Sequence, residues 1–164
     1  NEYGRSKLEA ENILKRFSTN NHNPIYIFRL PGVFGKWAKP NYNSVVSTFC
    51  HNIANNKEII INEPDKELHL VYIDDVVRII NYFLIDSTKS GIYNLGSGKG
   101  IEVKNLVKII DYKIYGTNTL TKEYSSLFDS NKRNQNFYAC TKKINKFLNN
   151  YKFTDIDSGI NNLI

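Results

Sequence analysis

Methionine is absent from the 164-residue sequence, and cysteine occurs only twice. Cys50 and Cys140 lie far apart, with no Cys-x-x-Cys pair and no histidine at ligand spacing, which argues against a structural zinc site. We expect two reduced, buried thiols, the usual state in a cytoplasmic protein. Because the three histidines, His22, His51 and His69, are scattered, no metal site is predicted.

Long hydrophobic runs are lacking too. No apolar segment reaches the roughly 20 residues that a membrane-spanning helix needs, so no membrane association is predicted. The formal net charge is +6. However, the sequence has no dense Lys/Arg block and no basic stripe at helical spacing, so nucleic-acid binding is not predicted. A solvated, lysine-rich surface accounts for this charge, and an anionic small ligand is compatible with it.

A glycine-rich phosphate-binding motif is also missing. Neither G-x-G-x-x-G nor G-x-x-G-x-x-G occurs, and the cluster of Gly91, Gly96, Gly98 and Gly100 has a different spacing and follows a late strand. In dinucleotide-binding folds such a motif holds the pyrophosphate at a helix N-terminus. The sequence alone therefore supplies no unit of that kind.

The first seven residues, Asn-Glu-Tyr-Gly-Arg-Ser-Lys, carry the most informative pattern. On a helix, Tyr3 and Lys7 lie on one face, one turn apart. A nearby ammonium stabilises a phenolate. The pair is therefore predicted to donate and accept a proton near neutral pH.

Hydrophobic periodicity predicts alternating helices and strands. Helices are predicted over 3–20, 45–55 with Ser44 as its cap, 76–84 capped by Asp74 or Asp75, 102–110, 138–148 and 155–164. Strands are predicted over 25–30, 58–62, 69–73 and 91–95, with a loop over 31–43 and one strand and a long loop within 112–136. This alternation predicts an α/β fold with a mainly parallel sheet.

Four segments in order resemble the extended branch of the short-chain dehydrogenase/reductase superfamily, the NAD-dependent epimerase/dehydratase family that acts on nucleotide sugars. They are Tyr3–Lys7, Arg29–Gly35, Val71–Val76 and Gly91–Gly98. The resemblance implies the C-terminal part of a Rossmann-like, doubly wound, mainly parallel sheet plus a small mixed α/β substrate lobe. The family's glycine-rich unit is expected upstream, in a longer enzyme.

The same resemblance implies a domain division near residue 100. Residues 1–100 are expected to form a partial NAD(P)-binding domain that lacks its N-terminal glycine-rich unit and contains inserted substrate-lobe elements. Residues 101–164 are expected to form the C-terminal substrate-binding lobe.

The resemblance assigns catalytic and cofactor-binding roles. Tyr3 is expected to exchange the proton of a sugar hydroxyl while a hydride moves between that carbon and the nicotinamide of NAD or NADP. Lys7 is expected to bond the cofactor ribose and stabilise the phenolate. Pro31, Gly32 and Val33 are expected to approach the nicotinamide through their backbone, where Gly32 lacks Cβ. The alternative for this segment is a plain strand-to-loop turn.

Substrate-binding residues are predicted on two other segments. Asn43 and Ser44 open a helix whose free N–H groups suit a diphosphate, with simple helix capping as the alternative. By resemblance, Arg133 lies where epimerases hold an arginine on the substrate pyrophosphate, with a solvated surface arginine as the alternative. Trp37 and Tyr42 are candidates for stacking on a uracil or sugar face, or for packing within their loop.

Two parts of the chain resemble different members of the family. Residues 34–46 and 48–54 resemble capsular-polysaccharide enzymes that reduce 4-keto deoxy-aminosugars on UDP, and residues 91–138 resemble nucleotide-sugar epimerases. The resemblance implies a homodimeric, NAD(P)-dependent nucleotide-sugar epimerase, dehydratase or 4-ketoreductase of surface-polysaccharide biosynthesis. The alternative is a non-catalytic remnant that retains only a nucleotide-sugar-binding lobe.

Overall fold

The computed structural model describes residues 1–85, 90–117 and 139–164. Helices and strands alternate along these residues, which confirms the predicted α/β fold. In chain order they are α1 Glu2–Asn21, β1 Tyr26–Arg29, β2 Gly32–Phe34, α2 Val45–Ala54, β3 Glu67–Tyr72, α3 Ile73–Ile85, β4 Gly91–Asn94, β5 Gly100–Glu102, α4 Val103–Tyr115, α5 Lys142–Asn145 and α6 Ile156–Asn161.

Strand pairing among the described residues is mainly parallel, as predicted. β1 pairs parallel with β4, so that Tyr26 lies opposite Gly91. β2 pairs parallel with β3, and β3 pairs antiparallel with β5 on its other edge. Parallel strands require crossover connections. Here α2 lies between β2 and β3 in the chain.

Two hydrophobic clusters form the core. The first packs α2 and α4 against β2 and β3, and its fully buried members include Val46, Leu106 and Ile110. The second surrounds Phe83 and Tyr93, whose ring centroids lie 4.9 Å apart in an edge-on arrangement. Both clusters draw residues from either side of residue 100. The predicted domain division at that residue stays a prediction.

The C-terminal elements are fixed to the sheet by specific contacts. The Lys143 ammonium on α5 donates to the Ile92 carbonyl at 2.8 Å and lies 4.3 Å from the centroid of the Tyr93 ring. On α6, a Cβ built at Gly159 would lie 2.6 Å from the ring of Phe34. The helix therefore packs its backbone directly on the end of β2.

Asp75 has a different role from the one that the sequence predicted. It lies within α3 rather than at its cap, it is buried, and its carboxylate accepts hydrogen bonds from the Tyr151 hydroxyl at 2.7 Å and from the Thr154 N–H at 2.7 Å. The Thr154 hydroxyl adds a third bond at 3.2 Å. Asp75 thus joins α3 to the segment before α6, while its neighbour Asp74 is exposed.

Several predicted element boundaries are wrong. β2 begins inside the predicted loop 31–43, and β5 lies where no strand is predicted, with only its last residue, Glu102, inside the predicted helix 102–110. Both strands are stabilised by pairing with β3, a long-range partner that local propensity does not report. The predicted strand 58–62 is not a strand, although Ile59 and Ile61 are buried in the first cluster.

The remaining differences concern the last third of the chain. α4 continues to Tyr115 instead of ending near residue 110. The helix predicted over 138–148 is reduced to α5 within the described part of that range, and the helix predicted over 155–164 ends at Asn161. The strand and loop predicted within 112–136 fall largely outside the described residues. No helix in the described part of the chain is both long and apolar enough to cross a membrane.

Candidate functional site

Tyr3 and Lys7 meet on one face of α1. The helix begins directly after Asn1, whose side-chain oxygen accepts the Gly4 N–H at 2.8 Å and so caps the first turn. The Lys7 ammonium lies 5.2 Å from the centroid of the Tyr3 ring. The Tyr3 side chain is 71% exposed. The pair is thus assembled at the open end of the helix, where a ligand has access to both groups.

An ion pair between Arg29 and Glu11 ties α1 to the sheet. Arg29, the last residue of β1, donates from Nε and Nη2 to the two carboxylate oxygens of Glu11 at 2.8 and 2.7 Å. This two-point contact lowers the pKa of the Glu11 carboxyl and raises the pKa of the Arg29 guanidinium. Since the helix buries no residue of its own, the ion pair is a main determinant of where Tyr3 and Lys7 lie.

The segment Pro31–Val33 follows β1 and begins β2. A Cβ built at Gly32 would lie 2.9 Å from a methyl carbon of Leu70 on the neighbouring strand, and a Cβ at Gly96 would lie 3.2 Å from the Pro31 ring. Packing of β2 against β3 therefore explains the glycine at position 32 without a ligand. The predicted contact of Pro31, Gly32 and Val33 with the nicotinamide stays a prediction.

Asn43 and Ser44 lead into α2. The Ser44 hydroxyl accepts the Ser47 N–H at 3.3 Å, and the Ser44 carbonyl accepts both the N–H and the hydroxyl of Thr48. The predicted helix start is confirmed, and helix capping is the observed role of the serine side chain. Binding of a diphosphate at this helix end stays a prediction.

The loop between β2 and α2 carries two exposed aromatic rings. Trp37 is 99% exposed and Tyr42 is 73% exposed, so neither ring packs into the protein. The loop is held to α2 through its backbone: Ser47 donates to the Ala38 carbonyl at 2.7 Å, and Thr48 accepts the Asn41 N–H at 2.9 Å. Both rings are therefore presented by an anchored segment.

A cavity of about 610 Å³ lies beside this loop and was not predicted from the sequence. Its walls are the loop from Gly35 to Pro40, one face of α2 with Cys50 and His51, and residues 162–164. Burial raises the pKa of the Cys50 thiol to about 11, which keeps it protonated at neutral pH. The loop and α2 are neighbours in the sequence, but residues 162–164 lie more than 100 positions later, so no local pattern could have indicated the cavity.

Two further predictions concern Arg133 and the absence of a metal site. Arg133 lies outside the described residues, so its predicted role at a substrate pyrophosphate stays a prediction. Among the described residues, no group of three or more His, Cys, Asp and Glu side chains is arranged to hold a metal ion. Sequence reasoning also missed Glu11, whose partner is 18 positions away in the chain.

Residues 1–96 match the model of the NAD dependent epimerase/dehydratase family. That range contains Tyr3, Lys7, Pro31–Val33, Asn43 and Ser44. Over 78 residues the chain is 59% identical to the UDP-2-acetamido-2,6-beta-L-arabino-hexul-4-ose reductase of Pseudomonas aeruginosa, an alignment that covers 48% of this chain and 21% of that protein.

Two solved structures are similar in fold. Capsular polysaccharide assembling protein CapF from Staphylococcus aureus is 37% identical with a TM-score of 0.63, covering 70% of this chain and 32% of that one. UDP-N-acetylglucosamine 4-epimerase from Bacillus cereus covers 96% of this chain and 50% of its own at 19% identity, with a TM-score of 0.74 that shows the fold alone. The Rossmann-like α/β fold is confirmed, and the chain spans at most half of these proteins.

Proposed function

Because this chain belongs to the NAD dependent epimerase/dehydratase family, we propose that it carries the catalytic tyrosine and lysine of a nucleotide-sugar enzyme that works by hydride transfer. The observation that carries the proposal is the exposed Tyr3–Lys7 pair, with the ammonium 5.2 Å from the ring centroid. Both residues lie inside the matched range.

In this proposal Tyr3 moves the proton. When bound, NAD or NADP supplies a hydride donor or acceptor at its nicotinamide. In the direction of reduction, the Tyr3 hydroxyl gives its proton to the oxygen of a sugar ketone as the carbonyl carbon gains the hydride. In the direction of oxidation, the phenolate takes the proton of the sugar hydroxyl. The side chain is sufficiently exposed for its hydroxyl to reach a bound sugar.

Lys7 stabilises the phenolate that remains when Tyr3 has given up its proton. An ammonium close to the ring favours the negatively charged form. Its remaining N–H donors suit the ribose hydroxyls of the cofactor, which accept hydrogen bonds. We assign the nicotinamide side of the site to Pro31, Gly32 and Val33. These residues follow directly after β1, the strand that Arg29 links to α1.

The proposed substrate is a nucleotide sugar. Asn43 and the first turn of α2 suit its diphosphate, because the N-terminus of a helix carries partial positive charge. Arg133 is assigned to the same pyrophosphate on the resemblance alone. Within the family a 4-keto reductase is favoured, since the relative that is 59% identical over 78 residues is named as a reductase of a UDP-linked hexul-4-ose. We place the enzyme in surface-polysaccharide synthesis in the cytoplasm.

A homodimer is part of the proposal. On one side of α1, three apolar side chains are left partly exposed by the other described elements: Ile13, Leu14 and Phe17, each 45% to 52% exposed. Burying such a face against a second copy removes apolar surface from water. Sedimentation of the protein at several concentrations gives the association state.

A segment replacement tests the proposed reaction class. In the Pseudomonas aeruginosa reductase, the segment that corresponds to residues 1–96, the range that matches the family model, is replaced by that of this chain, and reduction of its UDP-linked 4-keto sugar is followed through nicotinamide absorbance. We expect the chimera to turn over, because the segment supplies the same catalytic groups. A folded chimera that binds cofactor but transfers no hydride would instead favour a non-catalytic remnant.

A further inference from the structure

We propose that the loop between β4 and β5, residues 95–99, positions Pro31 on the nicotinamide side of the site, and that residues 139–143 hold this loop in place. This role rests on the proposed function, in which Pro31 faces the nicotinamide. The loop and its support come from distant parts of the chain, because residues 139–143 fall in the range that the sequence assigns to the substrate-binding lobe.

The pairing of β1 with β4 brings Pro31 next to the loop. Arg29 and Asn94 lie opposite each other at the ends of the two parallel strands. The Leu95 N–H donates to the Arg29 carbonyl at 3.0 Å, so the pairing continues one step beyond the strands. Two residues past this opposed pair, Pro31 and Gly96 lie side by side.

Gly96 contacts Pro31 so closely that a side chain would displace it. A Cβ built at Gly96 would lie 3.2 Å from Cγ and 3.5 Å from Cδ of the proline ring. A contact of 3.2 Å is shorter than an ordinary van der Waals contact, so a methyl group would push the ring by a few tenths of an ångström. The φ of Gly96 is not positive, so the backbone itself would accept alanine. Packing against Pro31 therefore explains this glycine.

The next residue of the same segment, Gly32, lies against β3. A Cβ built there would lie 2.9 Å from a methyl carbon of Leu70 and 3.3 Å from the His69 carbonyl oxygen. Pro31 and Gly32 are thus in close contact with two parts of the structure, the β4–β5 loop and β3. Such packing leaves the segment little room to absorb a displacement.

Residues 139–143 hold the end of β4, from which the loop begins. The Asn94 side-chain amide donates to the Cys140 carbonyl at 3.0 Å. The Lys143 ammonium donates to the Ile92 carbonyl at 2.8 Å. Both contacts join the C-terminal part of the chain to the last residues of the strand, so the start of the loop depends on them.

The loop itself is packed against the same C-terminal residues. Pro31, the loop, Ala139 and Thr141 enclose a small cavity together with two residues of β3. Its volume is about 10 Å³, no more than one water molecule occupies. A Cβ built at Gly98 would lie 3.4 Å from the Thr141 hydroxyl oxygen. Because little free space separates these segments, a shift of residues 139–141 should move the loop and Pro31 with it.

A displaced Pro31 is expected to weaken cofactor binding. The proposed contact of residues 31–33 with the nicotinamide is made by their backbone, so it depends on their position. A misplacement of 1 Å can cost about a hundredfold in an enzyme reaction. For a shift of a few tenths of an ångström we expect a loss of about threefold to tenfold in cofactor affinity. Binding of the sugar substrate, which is assigned to other residues, should not change.

Amide hydrogen exchange on the 164-residue chain tests the support of the loop. Lys143→Ala removes the contact with β4, and Lys142→Ala removes the exposed lysine beside it as the matched control. We expect only Lys143→Ala to accelerate exchange of the Leu95 amide and of the amides of residues 32–34, by about fivefold or more, while exchange in α2 stays unchanged. Unchanged exchange at Leu95 and residues 32–34 would overturn the role of residues 139–143.

Gly96→Ala in the chimeric reductase tests the effect on the cofactor, since the grafted residues 1–96 contain both Gly96 and Pro31. Calorimetry should give a dissociation constant for the nicotinamide cofactor about threefold to tenfold higher than in the unsubstituted chimera, with an unchanged KM for the UDP-linked 4-keto sugar. This difference between cofactor and sugar separates positioning from a general loss of structure. An unchanged dissociation constant, or equal losses for cofactor and sugar, would contradict the proposal.

A double variant identifies the contact through which Gly96 acts. Pro31→Ala removes the ring that the new methyl group would displace, so the double variant should lose less binding free energy than the sum of the two single variants. Additive losses would show that position 96 does not act through the proline ring. If the unsubstituted chimera binds no cofactor, the proposed function fails, whereas the exchange measurement on the 164-residue chain still decides whether residues 139–143 hold the loop.

Discussion

The guanidinium of Arg29 and the carboxylate of Glu11 face each other through two hydrogen bonds of 2.8 and 2.7 Å. This fork joins the middle of α1 to the last residue of β1. Tyr3 lies eight residues before Glu11, which corresponds to about 12 Å along the helix. The position of the proposed proton donor thus depends on an ion pair more than two turns away.

Glu11→Gln is expected to loosen α1 from the sheet. The substitution removes the charge that makes the contact with Arg29 strong, and we expect a loss of about 0.5 kcal/mol of stability, the scale of partly exposed ion pairs. Amide hydrogen exchange should accelerate throughout α1. Glu9→Gln, a change at an exposed residue of the same helix, is the control. Equal exchange rates in both variants would show that the ion pair does not hold α1 to the sheet.

The same ion pair predicts a pH dependence. The hydrogen bond from Arg29 lowers the pKa of Glu11 below its usual value of 4.5, so the folded state favours the ionised carboxyl. The stabilisation is therefore present above pH 4.5 and is lost as the pH falls through the lowered pKa. Thermal melts of wild type and Glu11→Gln should converge in acid. A difference in melting temperature that persists at the lowest pH would have a cause other than the ionised Glu11 carboxylate.

Gly159→Ala is expected to destabilise the protein, although alanine is the better helix former. The new methyl group would lie 2.6 Å from two ring carbons of Phe34 and 3.3 Å from Tyr72. Both rings are buried, so the overpacking should cost about 1–3 kcal/mol. Urea unfolding measures it, with Asn161→Ala on the exposed side of α6 as the control. A stabilised Gly159→Ala variant would show that α6 does not pack on β2 as described.

Asp75→Ala should cost far more than Asp74→Ala. The buried Asp75 carboxylate accepts three hydrogen bonds from Tyr151 and Thr154, and bonds to a charged group contribute about 1.5–3 kcal/mol each at most. We expect a loss of about 3 kcal/mol for Asp75→Ala and less than about 0.5 kcal/mol for exposed Asp74→Ala. Chemical denaturation of the Asp75→Ala and Asp74→Ala variants measures the two losses of stability. Similar midpoints would contradict the buried hydrogen-bond network.

The Tyr151 hydroxyl in the same network predicts how the stability of the protein changes at alkaline pH. Burial, followed by its hydrogen bond to Asp75, raises the pKa of the Tyr151 hydroxyl above 10. A raised pKa means that the folded state favours the protonated phenol. Its contribution to stability is therefore complete below pH 10 and is lost as the pH rises toward the raised value. Tyr151→Phe should flatten the alkaline limb of the stability curve, and an unchanged limb would exclude this residue as its cause.

The two thiols are expected to differ in reactivity. Burial raises the pKa of Cys50 to about 11, so only about a thousandth of it is thiolate at pH 8. Cys140 is exposed. Iodoacetamide should therefore modify Cys140 first, and peptide mass spectrometry of wild type and of each Cys→Ser variant measures the two rates. Equal rates would show that Cys50 is not shielded in the folded chain.

Local signals in the sequence were sufficient for features that depend mainly on residues close together in the chain. Ser44 caps α2 because a serine hydroxyl reaches the N–H three residues on. The apolar run after Pro24 forms β1, as its aromatic and β-branched residues predict. Tyr3 and Lys7 meet because a helix places such positions one turn apart. Each of these outcomes depends on neighbours within a few residues.

Features that depend on distant partners were not predictable. β2 and β5 are short and exist because both pair with β3. Asp75 looked like a helix cap, but its partners are Tyr151 and Thr154, more than 70 residues later. The cavity beside Trp37 likewise needs residues 162–164 to close its wall. Such contacts are set by the tertiary fold and leave no periodic trace in a single sequence.

The proposed function requires Tyr3 to transfer the proton, and single-turnover hydride transfer in the chimeric reductase measures this step. Tyr3→Phe keeps the ring that Lys7 contacts and removes only the hydroxyl. Tyr42→Phe is the matched control on an exposed ring elsewhere in the segment. Hydride transfer is expected to fall by about a hundredfold or more in Tyr3→Phe and to be unchanged in Tyr42→Phe, with cofactor binding retained in both. Wild-type hydride transfer in Tyr3→Phe would contradict this role of Tyr3.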